Sequence, residues 1–131
     1  MPKTNYLENG LLNKMFRQTA FTVPDGYIGL LTVITDGEAG TVTEATYTGY
    51  ARVAMTSSNF GTASTTGAVT NTAIISFGTN SSTSQTAVGI GVWDAASAGN
   101  LIYYQALSPS VPIGNGETAR FPIGNLTITE E

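Results

Sequence analysis

Apolar positions along this chain keep two different rhythms. In the first twenty residues Leu7, Leu11 and Met15, joined by Leu12 and Phe16, recur at the three-to-four spacing of a helix. Asn5 with Glu8 three places later has the form of a capping box, and Lys14 and Arg17 stand where the helix dipole favours cations. Gly10 costs about 1 kcal/mol relative to alanine, so this helix relies on packing its Leu/Met/Phe stripe against a sheet or a neighbouring subunit.

Beyond the turn signal Pro24-Asp25-Gly26 the rhythm becomes that of strands. Tyr27 to Thr35 is rich in branched residues and predicts a central strand. Asp36 to Thr48 reads as an exposed loop or a ragged edge, and Tyr50 to Thr56 resumes alternation, with Arg52 directed to solvent or to a carboxylate. Val69 to Phe77 predicts one strand between the loops 59–67 and 78–86. The strongest signal is the hairpin from Val88 to Leu107. There Val88, Ile90 and Val92 share one face, and Gly89, Gly91 and Trp93 share the other. Pro109, Pro112, Gly114 and Gly116 predict a break, followed by short strands at Thr118 to Ile123 and Asn125 to Thr129, the first an edge or bulged strand because of Pro122. The expectation is a mainly β chain: an antiparallel sandwich or barrel of about six to eight strands with one N-terminal helix. We read a single domain, 1–131, with an arm and helix over 1–20 and a β domain over 21–131.

Composition narrows the chemistry. The 131 residues include no histidine and no cysteine, and 11% are charged. The usual acid–base catalyst, the readiest thiolate nucleophile and the main zinc ligands are therefore missing. A net charge of −4 with five cations argues against neutralising a row of phosphates, so no nucleic-acid partner is expected. No apolar run reaches membrane-spanning length and MPKTNYLENG lacks a signal-peptide core, which predicts no membrane partner and a product of the cytoplasm. Twenty-one threonines give hydroxyl-rich, charge-poor sheet surfaces that favour assembly, one remedy for exposed strand edges.

Three segments in order carry a resemblance: NYLENGLLNKMFRQTAF at 5–21, TYTGYARVAM at 46–55 and WDAASAGNLIYYQAL at 93–107. Together they resemble a family of small tailed-bacteriophage virion proteins, often labelled tail fibre proteins, and similar small β proteins serve as capsid decoration or cement proteins. The chain departs from that pattern at Tyr27-Ile28-Gly29-Leu30-Leu31 and in its short Asp36 to Gly40 region. The resemblance implies a capsid decoration protein on the outer surface of the virion head, made in the host bacterial cytoplasm, with the major capsid protein and further copies of itself, as a homotrimer, for partners. The alternative is a tail or tail-fibre component that binds a host-surface ligand.

Under the decoration reading, capsid or subunit contacts fall to Lys3, Asn5, Tyr6, Leu7, Leu11 and Arg17 in the arm and helix, and to Trp93, Tyr103 and Tyr104. Interior packing is the competing role for the three aromatics. Under the alternative, Trp93-Asp94 beside Asn100 has the chemistry to stack on and hydrogen-bond a sugar, although Asp94 is more simply a turn residue. Asp36 and Glu38 have the residue types of a glycosidase pair, and with Glu44 of a calcium loop, but the spacing fits neither better than a solvated loop. No catalytic residue, metal or cofactor is expected.

Overall fold

The computed structural model describes residues 1–130, and its frame grows from the two segments richest in branched side chains. β1 (Tyr27–Asp36) and β6 (Gln85–Trp93) lie antiparallel at the centre of the main sheet, with Ile28 opposite Val92, Gly29 opposite Gly91 and Leu30 opposite Ile90. β7 (Leu101–Ile113) flanks β6, while β2 (Thr41–Glu44) and the two-residue β3 (Val53–Ala54) flank β1. Two ribbons complete the fold: β4 (Ala68–Thr70) with β9 (Thr127–Thr129), and β5 (Ile75–Thr79) with β8 (Thr118–Phe121). The architecture is mainly β and antiparallel with one N-terminal helix, as expected. The described strands number nine rather than six to eight, and the sheets do not close into a barrel.

One face of the main sheet carries Ile28, Leu30, Ile90, Val92 and Ile102, which pack with Phe77, Ile75, Leu126 and Ile128 from the ribbons into the principal core. The opposite face carries a smaller cluster of Leu31, Trp93 and Leu101. This is the two-sided pattern the hairpin alternation predicts.

Three local expectations are corrected. The helix α1 (Asn5–Arg17) has Thr4 as its N-cap and no capping box, because the Thr4 hydroxyl is committed to the Leu101 carbonyl at 2.6 Å. Residues 2–4 pair with the edge of β7 instead: the Thr4 N–H donates to Ile102 at 3.0 Å and the Tyr104 N–H to Pro2 at 3.2 Å. The predicted strand 69–77 is split at buried Asn71, whose Nδ2 donates to Ala73 and Pro122 (2.9 Å each) and whose Oδ1 accepts the Leu126 N–H at 2.9 Å. A buried amide so fully bonded organises a corner between two ribbons and does not continue a ladder. The returning strand runs through Pro109 and Pro112 to Ile113, with a register irregularity between the Ala87 and Gly89 pairings. Pro109 falls in that irregular stretch, which has no partner in β6, and Pro112 stands opposite Thr86 on an edge strand, where proline is tolerated.

Candidate functional site

The densest polar constellation sits over the Trp93 face. β2 ends in Glu44 and the segment before β3 supplies Tyr50 and Arg52, which brings three side chains above the glycines of β1 and β6. Arg52 grips Glu44 through two parallel bonds, Nε to Oε1 at 2.8 Å and Nη2 to Oε2 at 2.7 Å. Its Nη1 donates to the carbonyls of Ala95 and Ala98, both at 2.7 Å, in the loop joining β6 to β7. The guanidinium carbon lies 4.1 Å from the centre of the Trp93 ring. Tyr50 donates to Glu44 at 2.7 Å and accepts the Leu30 N–H at 3.0 Å. Burial and the adjoining Glu44 carboxylate push the Tyr50 hydroxyl above the ordinary tyrosine range.

Every strong donor and acceptor in this cluster is satisfied from within the chain, so its chemistry is that of a clamp holding the hairpin loop. Trp93, 5% exposed beneath Arg52, offers no free ring for sugar stacking. Asp94 and Asn100 close the same loop: Asp94 Oδ1 accepts the Asn100 N–H at 2.7 Å, and Oδ2 accepts Asn100 Nδ2 at 2.9 Å. Burial alone would raise the Asp94 pKa; bonds from Asn100 and Tyr6 outweigh it and lower it. The segment is the turn that Asp94 predicts, and the alternative stacking role for Trp93-Asp94 beside Asn100 is not available to it. Asp36 likewise accepts the Ala39 N–H at 3.1 Å as a turn residue, and no group of three or more metal-ligating side chains occurs among the described residues.

A second cluster joins the arm to the last strand. Glu130 takes an ion pair from Lys3 and a hydrogen bond from the Tyr103 hydroxyl. Burial would raise the Glu130 pKa, but these two donors lower it, while burial and Glu130 together raise that of Tyr103.

The third feature is a surface. Leu7 is buried and Leu11 packs on the principal core, and Phe21 folds back against Gly10 and edge-on to Tyr6. The last turns of α1 overhang: Met15 is 69% and Phe16 74% exposed, beside exposed Leu12, with Val23 also exposed in the segment that follows. Lys14 and Arg17 stand in the same final turn.

The residues singled out from sequence thus divide. Leu7, Leu11 and Trp93 are packed inside the chain. Tyr104 lies against the Trp93 cluster and over Gly37. Lys3 and Tyr103 meet at Glu130, and Asn5, Tyr6 and Arg17 are exposed, with the Asn5 N–H donating to Glu38 at 2.9 Å. Glu44, Tyr50 and Glu130 were not anticipated as members of these clusters. The eight-residue spacing of Glu44 and Arg52 was a usable signal for one pair; Lys3 and Glu130, 127 positions apart, leave none.

The features above are a loop clamp, an ion pair tying the arm to the last strand, and an exposed apolar flank on α1. A protein-family model covering residues 2–129 places the chain among the structural proteins of the bacteriophage virion. The chain belongs to the family described as podophage GP4 fiber I protein gp80. A search of curated proteins finds no match. No helix among the described residues is long and apolar enough to cross a membrane.

Proposed function

We propose that this chain is a fibre component of the phage tail that acts by adhesion and assembly and catalyses no reaction. The family description supports the fibre reading over the head-decoration reading drawn from the resemblance. The observation that carries the assembly half of the proposal is the overhanging end of α1, where Leu12, Met15 and Phe16 lie open to solvent. A continuous apolar patch rimmed by polar residues marks an interaction surface. Its occupant in this proposal is a second copy of the chain, in a homotrimer. Lys14 and Arg17 flank the patch, and the nine carboxylates of a further copy include groups of the opposite sign with which they can pair.

Two measurements test this. Gold-labelled antibody against the chain should decorate the tails of intact virions; label spread over the head shell would return the decoration reading. Light scattering of the purified chain should give a trimer that Met15→Ser/Phe16→Ser reduces to a monomer with an unchanged circular dichroism spectrum. A wild-type monomer would remove the assembly half.

A further inference from the structure

An open trough of about 510 Å³ lies between the turn after β3 and the β4 ribbon, with Met55, Phe60 and Val69 among its apolar lining. Ser57, Thr62 and Thr72 also line it, and their hydroxyls take part in no hydrogen bond among the described residues, while Thr56 is tied to Ser58 at 2.7 Å. The turn that presents them is held in place. Asn59 Nδ2 donates to Ala54 at 2.9 Å, its Oδ1 accepts the Thr56 N–H at 2.8 Å, and its carbonyl accepts the Thr72 N–H at 2.9 Å. None of the lining residues is ionisable. Met55 and Val69 also line a second, more apolar trough of about 380 Å³ that continues past Val92, Ile102 and Ile128 to Tyr103 and Glu130.

We infer that the first trough binds a neutral sugar ring bearing a methyl group, as 6-deoxyhexoses and N-acetylhexosamines do. Three free hydroxyls can each donate and accept, which matches the alternating donors and acceptors of a polyol. The absence of any charged group in the lining of the first trough disfavours anionic or cationic rings there, whose charge would be desolvated without a partner. The apolar floor takes the C–H face of the ring, and the continuation past Met55 takes the methyl group. A purely aliphatic ligand in the first trough would strip water from those hydroxyls and give them nothing in return. The inference deepens the fibre reading, from which it takes only the host surface as the source of the sugar.

Saturation-transfer NMR tests it, using the full chain with oligosaccharides of neutral 6-deoxyhexose or of N-acetylhexosamine, and a uronic-acid oligosaccharide as the charged control. Transfer should be strongest at the methyl protons of a neutral sugar, and Ser57→Ala/Thr72→Val should weaken binding about tenfold. Thr62→Arg, at an exposed position that leaves folding intact, should abolish it by filling the trough. Absence of transfer to both neutral sugars, equal transfer to the uronic control, or unchanged binding in the double variant would overturn the inference. The outcome is separable from the fibre reading: label on the head shell would remove that reading while leaving the NMR result intact, and a negative NMR result leaves tail labelling unaffected.

Discussion

On one face of the main sheet, Ile28, Leu30, Ile90 and Val92 are covered by rings and branched chains from the two ribbons; on the other, Leu31, Trp93 and Leu101 lie under an arginine–glutamate pair. The first cover is non-directional and gains stability in proportion to the area it removes from water. The second is directional. Arg52, with its side chain 5% exposed, must satisfy its charge on Glu44 and its remaining donors on Ala95 and Ala98, or burial becomes a penalty. The contrast teaches that the ribbons supply bulk stability, whereas the clamp fixes the position of one loop.

Substitutions can break each side of that contrast in turn. Phe77→Ala, which opens a cavity in the principal core, should cost about 3–5 kcal/mol in chemical denaturation. Arg52→Ala should cost about 2–3 kcal/mol, because Glu44 is left partly buried without its partner. Amide exchange should then rise in residues 94–100 far more than in the ribbons; a uniform rise would dissolve the distinction between the faces. Replacing both partners, Glu44→Gln with Arg52→Met, should recover much of that loss while the loop stays loose, which separates the charge from the positional role.

The smallest effects are in pH. Glu130 has a pKa below its ordinary value of 4.5 when folded, so its contribution is complete above that value and is lost as the pH falls through the folded pKa. Glu130→Gln should flatten this acid limb of the thermal midpoint slightly, its side chain being about half exposed. On the alkaline side Tyr50 and Tyr103 keep their protons longer folded than unfolded, so stability should decline above about pH 10.

The sequence made the central strands legible because branched and small residues alternate there at period two, and both faces of the hairpin could be assigned. It failed where a polar side chain does a long-range task. Asn71 reads as part of a strand and Asn80 as a loop residue, yet both are buried anchors, Asn80 Nδ2 donating to Ile113 at 2.9 Å and Thr83 at 3.1 Å. The capping-box pattern was outcompeted by the pairing of residues 2–4 with β7, a contact from across the chain. The helix stripe was legible as a stripe, but periodicity does not say what covers it. Leu7 and Leu11 meet the core, and Met15 and Phe16 do not.

The facing pair Gly29 and Gly91 leads beyond this one molecule. A methyl group added at Gly91 would come within 2.7 Å of both the Trp93 ring and Leu101, and one at Gly29 would come within 2.2 Å of the Tyr50 hydroxyl and 3.0 Å of Trp93. Bulk at these positions is thus shared among neighbours on different strands. Across descendants of a common ancestor, alanine at either glycine should therefore travel with a smaller ring at 93 or the loss of the hydroxyl at 50, leaving a correlated signature of inheritance in what looks like an unremarkable stretch of small residues.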